Sequence, residues 1–467
     1  MSILIYKTEN ELMEKAIQAE GKSFKELDRK GRLTNQKSKG GLGQIIEESF
    51  FGYKVNSNAK PDFEELEIEL KVTPFKVNKN GQLSSKERLV LNIINYVEEV
   101  NFDFDNSSFW KKNKKLLLML YKWLPKIDRA DYIIYKSMLF TFPDSDLEII
   151  KKDWELIVTK IRQGKAHELS EGDTNYLGAC TKGANKSSLR TQPYSDTPAM
   201  QRAFSLKQSY MTTLVRKFLK NEELVSFAKN EELHSKTLEE ILYERFSPYI
   251  GLSDEEMANK LGERYNKKSK SFIPSLISSL LGIKGTRLEK IEEFAKANIQ
   301  FKTIRLEPND VPKESMSFEN IDFHQWVEES WEESELREKF ITTKFLFVIF
   351  QYNENKSQNP ERKLYFKGIN LWNMPLSTID NEVREVWNEA NRLLTVGLNI
   401  EYKKRGEKII ESNNLPKVGF NGVAHIRPKG KDGNDKTTLP NGQVITKQCF
   451  WLNNKYVAEV INESMNQ

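Results

Sequence analysis

Asp62, Glu69 and Lys71 are the residues whose types and spacing could do chemistry. They lie in Pro61-Asp62-Phe63-Glu64-Glu65-Leu66-Glu67-Ile68-Glu69-Leu70-Lys71-Val72, where Leu66, Ile68, Leu70 and Val72 alternate with Glu65, Glu67, Glu69 and Lys71. A period of two predicts a strand with one apolar and one charged face. Glu69 and Lys71 then point the same way, about 7 Å apart along the strand. Asp62 sits just upstream, behind a proline that starts the strand from a turn or a preceding strand. Two carboxylates and a lysine converging there are the parts needed to hold Mg²⁺ and set a water against a phosphodiester. Asp62, Glu69 and the carbonyl of Leu70 would hold the ion, and Lys71 would orient or deprotonate the water. The same residues also read as a solvated strand face, whose exposed pairs stabilise by only about 0–1 kcal/mol. Glu401-Tyr402-Lys403 repeats Glu-x-Lys with no Asp upstream and is a decoy.

The elements that must position this strand follow from periodicity. Residues 8–30 read as helical, and a loop runs from Gly31 to Gly40. A helix from Gly41-Leu42-Gly43 carries Gln44 and Glu47, one turn apart and able to face one cleft. Alone, it is an ordinary amphipathic helix. A turn is expected at Asn78–Gly81 and a buried strand at Leu116–Leu120. Before that strand, Trp110-Lys111-Lys112-Asn113-Lys114-Lys115 suits a phosphate backbone or a plain solvated face. A long helix through Asp153 and Trp154 ends at Gly164, a C-cap. Residues 165–215 read as loop-rich. Their small, polar and basic stretches, Tyr176–Asn185 and Arg202–Tyr210 with Lys182 and Lys207, could read base edges.

At 467 residues with 38% hydrophobic content, the chain is too long for one ordinary core and suits two domains. A net charge of +5 is compatible with nucleic acid without demanding it. Cys180 and Cys449 read as buried thiols in a reducing cytoplasm, and four scattered histidines give no zinc or triad spacing. Residues 1–40 lack a signal-peptide pattern and no apolar run reaches membrane-spanning length, so a cytoplasmic location is expected.

An internal repeat organises the rest. Leu66–Val72 has a partner in Ala297–Thr303. Lys71 precedes Trp154 by 83 residues, and Lys302 precedes Trp387 by 85. Trp154 and Trp387 each precede a glycine by ten, and Phe204–Tyr210 matches Phe450–Tyr456. Where the first copy has Asp62, Glu69 and Lys71, the second has Glu293, Gln300 and Lys302. A neutral amide at Gln300 removes charge that Mg²⁺ coordination needs. The second copy keeps a contact segment in which Arg427 and Lys429 suit guanine edges and phosphates. That pattern predicts one cutting domain (1–220), a helical connector (221–270) and one binding-only domain (271–467).

In combination these motifs resemble the MutH family of GATC-specific endonucleases, and more closely its two-domain type II restriction enzymes of the Sau-three-A type. The resemblance rests on Gly43–Glu47, Asp62 with Glu69-Leu70-Lys71, Trp110–Lys112, Leu177–Asn185 and Phe204–Lys207, and it covers nearly the whole chain. It implies an α/β (α+β) restriction-endonuclease-like fold of the PD-(D/E)xK kind, a mixed sheet flanked by helices, present twice. It also implies Mg²⁺-dependent double-strand cleavage at GATC, leaving 5′-phosphate ends. Carried over, the metal-binding carboxylates fall on Asp62 and Glu69, the catalytic lysine on Lys71, the helical glutamate on Glu47 and a further lysine on Lys112. The base-reading lysine falls on Lys182. Cys180 stands where an arginine is expected and Ser205 where a tyrosine is. In the second domain Arg427-Pro428-Lys429 retains the pattern, with Trp451 at the aromatic position. That domain would bind a second copy of the site as an allosteric effector, by analogy with type IIE enzymes. The expected partners are double-stranded DNA at two sites and a cognate methyltransferase acting on the same sequence. The chain is expected to be a monomer in solution, with dimers or loops forming on DNA. A strand-nicking repair endonuclease and a non-catalytic DNA-binding regulator stay open at this point.

Overall fold

The computed structural model describes residues 6–34, 41–53, 60–183, 188–266, 268–405 and 408–465. Ala184 and Asn185 of the expected contact segment, and residues 35–40 of the expected loop, lie outside the described residues. The chain divides into two compact units. The first is Met1–Ile241 with Glu289–Asn298, and the second is Leu242–Leu288 with Ile299–Gln467. The segment expected to be a separate connector is thereby shared between them.

In the first unit, β1 (Glu69–Val77), β2 (Leu83–Ser85), β4 (Lys115–Lys122) and β5 (Ile134–Thr141) form a sheet in the order β2-β1-β4-β5. β1 runs parallel to β4, and the other pairs are antiparallel. β3 (Leu89–Ile93), β6 (Leu177–Thr181) and β9 (Arg202–Leu206) make a second, antiparallel sheet ordered β3-β9-β6. β7 (Leu189–Gln192) and β8 (Ser195–Met200) form a hairpin. The first sheet's core lies under the helix Glu9–Ile17 and the helical segment Gly41–Phe50. The helix Asp144–Arg162 buries Ile149, Ile150, Trp154, Ile157, Val158 and Ile161, an apolar stripe at helical spacing. Gly164 ends the chain's exit from this helix at φ +71, and a Cβ there would fall 2.5 Å from the Tyr194 carbonyl oxygen, so only glycine fits.

The second unit repeats the three-stranded sheet and three strands of the four-stranded one. β10 (Ile299–Leu306), β12 (Lys344–Tyr352) and β13 (Leu364–Trp372) are ordered β10-β12-β13, with β10 parallel to β12. β11 (Met316–Asn320), β16 (Ala424–Pro428) and β19 (Gln448–Leu452) are ordered β11-β19-β16. Two hairpins, β14 (Glu401–Arg405) with β15 (Lys408–Ser412) and β17 (Lys436–Thr438) with β18 (Val444–Thr446), complete it. The registers correspond residue by residue. Leu206 faces both Leu89 and Leu177, as Leu452 faces both Met316 and Ala424. Even the irregularities match, falling between Val90 and Ile93 in one unit and between Ser317 and Asn320 in the other. This register superposes Cys180 on Arg427, Lys182 on Lys429 and Ser205 on Trp451.

Three local expectations are corrected. The helix read over 8–30 breaks at Gly21 (φ +81) into Glu9–Ile17 and Phe24–Leu27. Residues 165–215 are not loop-rich: they supply β6 to β9 and the helix Gln208–Lys220. The strand read from residue 65 starts only at Glu69, because residues 64–66 wind into a turn of 3₁₀ helix and Glu67 is left-handed at φ 54. Among the described residues no helix is long and apolar enough to cross a membrane. Cys180 and Cys449 are both buried free thiols.

Candidate active site and its counterpart in the second unit

The turn at 64–67 is what brings Asp62 to Glu69. Phe63 and Ile68, both buried, pair across it: the Phe63 N–H donates to the Ile68 carbonyl at 2.9 Å and the Ile68 N–H returns to Phe63 at 3.3 Å. One position further out, the Asp62 N–H donates to Glu69 Oε2 at 3.2 Å, and the Leu70 N–H donates to Asp62 Oδ2 at 3.0 Å. The six-residue gap between the carboxylates is therefore the length of a closed turn, not of an extended strand.

Glu69 is buried, at 4% exposure, which excludes the solvated strand face. Its Oε1 accepts from Lys71 Nζ at 2.9 Å and lies 3.7 Å from Lys112 Nζ. Lys71 Nζ also donates to the Leu91 carbonyl at 3.0 Å, which ties β1 to β3 and the first sheet to the second. Lys112 projects from the helix Ser108–Asn113, which Asn92 braces by bonds to Ser108 (3.0 Å) and from Asn113 (2.9 Å). Glu47 sits on a π-wound turn, Ile45–Phe50, a local over-widening common at functional sites. Burial pushes its carboxyl up to about 7, and the charges of Asp62 and Glu69 add to the effect, while Lys112 and Arg32 oppose it. Burial and the Glu69 charge likewise push Asp62 up to about 6, against the Leu70 N–H, Lys71 and Lys112. Burial is the larger cause at both groups, and the mutual repulsion of the carboxylates adds to it.

Gln44, expected to share the cleft with Glu47, accepts from Arg32 Nη1 at 3.1 Å, and Arg32 also pairs with Glu48. Among the described residues no three His, Cys, Asp or Glu side chains are grouped to hold a metal by themselves. Two carboxylates with unrelieved repulsion do fit a hard divalent ion of the Mg²⁺ type, which takes one or two carboxylates and completes its shell with water and substrate phosphate.

The lysine run divides. Lys114 pairs with Glu67, and Lys115 with Glu9, so these two serve the fold. Lys111 is exposed beside the Phe102 ring, and Trp110 packs on Phe104 at 5.3 Å rather than offering a face to DNA. Lys207, expected at the DNA surface, is 2% exposed, and its ammonium is held on the Thr174 carbonyl. It sits in the field of Asp153, a fully buried carboxylate accepting the N–H groups of Asn175, Tyr176 and Leu177 at 2.7, 2.6 and 2.9 Å. Together they fix the start of β6. No feature of the sequence marked Asp153 for this role. Lys182 is half-buried at the end of β6, its N–H donating to the Gln201 carbonyl at 2.7 Å. Cys180 is buried and offers no cation.

In the second unit Arg427 is exposed, and its guanidinium lies 4.2 Å above the Trp451 ring. Trp451 is 9% exposed, with its indole N–H directed at the Arg427 carbonyl at 3.4 Å, so it is a platform under the arginine. Lys429 Nζ donates to Ser317 Oγ at 3.1 Å. Gln300 and Lys302 share a face of β10, as Glu69 and Lys71 share one of β1. Glu293, matched to Asp62 by spacing, is not near such a site. It lies in the helix Glu292–Ala297 of the first unit and accepts the N–H groups of Phe227 and Ala228, both at 3.3 Å. The helix Phe272–Leu280, which precedes β10 as the Glu47 segment precedes β1, carries no acidic residue.

A family profile described as DNA mismatch repair enzyme MutH matches residues 51–153 and 286–385, once in each half. The type II restriction enzyme Sau3AI of Staphylococcus aureus is 37% identical, over 98% of this chain and 99% of its own length. The DNA mismatch repair protein MutH of Pasteurella multocida is 26% identical over 45% of this chain and 96% of itself. Its namesake in Shewanella woodyi is 28% identical over 45% and 92%.

Proposed function

The chain belongs to the MutH family and is a type II restriction endonuclease; we propose that its first unit cuts duplex DNA at GATC with Mg²⁺ while its second binds another copy of the site as an effector. The observation that carries the division of labour is the contrast at one strand. Asp62, Glu69, Lys71 and Lys112 converge in the first unit, and the matching strand of the second has Gln300 in the glutamate's place beside Lys302.

Asp62, Glu69 and the Leu70 carbonyl would hold the ion, which when bound supplies Lewis-acid polarisation of the phosphate and a more acidic water. Lys71 has three N–H bonds. Two rest on Glu69 Oε1 and the Leu91 carbonyl, and we assign the third to a non-bridging oxygen of the scissile phosphate, where charge builds in the transition state. Lys112, on the far side of the same carboxylate oxygen, holds Glu69 in place and adds positive field. Glu47, whose carboxyl is raised by burial first and then by the charges of Asp62 and Glu69, is the further carboxylate facing positive charge brought into the cluster. Water oxygen bonds to phosphorus and gives up a proton to solvent, while the bond to the 3′-oxygen breaks and that oxygen takes a proton from solvent. The products are a 5′-phosphate and a 3′-hydroxyl. Arg427 on its Trp451 platform, with Lys429, is assigned to base edges and phosphates of the effector duplex, and Lys182 to the cleaved one.

Unmethylated plasmid incubated with the protein, with and without Mg²⁺, tests the reading directly. Discrete double-strand fragments whose mapped ends read GATC support it. Nicks alone would point to the repair-type activity, and no cutting in any divalent ion would overturn the assignment. A full-length match to a restriction enzyme, against repair proteins that match 45% of the chain, favours double-strand cleavage.

A further inference from the structure

At the strand of the second unit that corresponds to the cutting strand, the structure gathers ammonium groups where the first unit gathers carboxylates. Lys302 Nζ is 3.3 Å from the Ser317 carbonyl oxygen and 5.1 Å from the centre of the Phe318 ring. Lys339, from the helix Glu335–Thr342, lies 5.2 Å from the same ring. Lys429 reaches in from the end of β16 to Ser317 Oγ and to the Phe318 carbonyl, at 3.1 and 2.5 Å. Three lysines from three separate elements therefore close on two residues of β11. Exposed Glu319, paired with Lys339, is the carboxylate among them. Burial, then the charge of Lys339, and further that of Lys429, holds the Lys302 amine below its ordinary range, as expected of a cation crowded by its own kind.

Lys302 and Ser317 also line a cavity of about 610 Å³ that Lys339 and Lys429 do not border, and its other charged walls are Arg305, Lys313, Lys356 and Arg362 against Glu307, which pairs with Arg362, and Glu314. Five cations against two carboxylates favour an anion entering there. Lys302 and Lys429 rest on carbonyl oxygens of β11, whereas Lys339 pairs with Glu319 as Lys403 pairs with Glu401.

We infer that Lys302 and Lys339, with Lys429, form a metal-independent phosphate site, holding a backbone phosphate of the effector duplex directly on ammonium groups. The inference rests on the reading that the second unit binds DNA. In the first unit a phosphate approaching Asp62 and Glu69 is repelled until a cation stands between them. In the second unit the carboxylates are gone and the lysines take the cation's part, so the two units differ in their need for metal.

The test uses the unmodified full chain and a fluorescent GATC duplex titrated in EDTA, where no ion is present to support cutting, across a range of salt. One duplex per chain is expected. Adding Lys302→Gln and Lys339→Gln should weaken the EDTA binding on the order of tenfold. It should also flatten the slope of log affinity against log salt by about 0.9, the share of one phosphate. Lys302→Arg with Lys339→Arg should restore both. Should the glutamine pair lose the second unit's unfolding transition, Lys339→Gln alone must still reduce affinity and slope. Unchanged affinity and slope in EDTA overturn the phosphate site. Absence of duplex binding by the parent chain, with or without Mg²⁺, instead overturns the DNA-binding reading itself.

Discussion

Replacing Asp62 by asparagine should stabilise the metal-free chain while abolishing cleavage. Burial and the neighbouring Glu69 raise the Asp62 carboxyl from 3.8 to about 6. A carboxyl that holds its proton more tightly in the folded chain favours folding below pH about 4, and that contribution is lost as pH rises through about 6. At pH 8 the ionised group then costs at most about 3 kcal/mol, from some two pH units at 1.36 kcal/mol each. Asp62 is only partly withdrawn from water, and screening reduces this to about 1–2 kcal/mol. Asparagine keeps the oxygen that accepts the Leu70 N–H and carries no charge, so the variant should gain that amount. For a unit of this size the gain is about 2–8 °C in the first unit's transition. Scanning calorimetry in EDTA should show it at pH 8 and show about half of it at pH 5. Mg²⁺ should raise the wild-type transition, by mass action on the folded state, and leave the variant's where it was. Plasmid cleavage should fall by at least about a thousandfold, the scale of losing a preorganised electrostatic group. An equal gain at both pH values, a loss at pH 8, or wild-type cutting by the variant would refute the carboxylate-cluster reasoning.

Other substitutions separate the roles assigned above. Glu69→Gln, which gives the first unit the residue found at Gln300, should end cutting while duplex binding in Mg²⁺ stays measurable by anisotropy. Trp451→Ala removes the surface under Arg427; it should slow cleavage of one-site plasmid severalfold, an effect that added GATC duplex partly relieves, as gel time courses would show. Lys207→Gln should lower the first unit's melting transition without altering the salt slope of DNA binding, since its ammonium is used inside the protein. Asp153→Ala leaves three buried N–H groups unpaired and should cost about 3 kcal/mol or more in denaturant unfolding.

The repeat and the grouping of its charged residues were largely legible in the sequence because both depend on local order. Aromatic and glycine landmarks keep their spacing when a domain is duplicated, and the sheets bear this out down to the shared irregularity opposite Ala203 and Cys449. Asp62, Glu69 and Lys71 were found by type and spacing, but the geometry imagined for them was wrong. Alternation continues through residues 65–68, yet the chain turns there, because burying both Phe63 and Ile68 outweighs keeping Glu65 and Glu67 in a ladder. A two-residue period cannot tell a strand from a tight turn flanked by apolar residues. The lysine run was ambiguous for a different reason. What separates Lys112 from Lys115 is a partner on another element, Glu69 for one and Glu9 for the other, and no local pattern carries that information. The same holds for Lys207, whose burial follows from its place after the buried strand β9 and near Asp153. Glu293 shows the opposite failure. Its spacing to Gln300 copies that of Asp62 to Glu69, while the helix it occupies turns it toward residues 227 and 228.

On the proposed reading, the differences between the two units are those that would turn a nuclease into a reader. Loss of Glu69's equivalent to Gln300 alone would leave Lys302 facing a neutral amide, a site with little attraction for phosphate and none for metal. The second unit goes further. The helix Phe272–Leu280 before β10 carries no acidic residue, and Lys339 and Lys429 converge with Lys302 on β11. Each change moves the local field in the same direction, from one that repels DNA in the absence of metal to one that attracts it. If the second site fills without metal and the first does not, effector binding precedes catalytic engagement whenever metal is scarce. The order of the two events would then be set by side-chain charge at one strand position and its neighbours, before any conformational coupling between the sites is invoked.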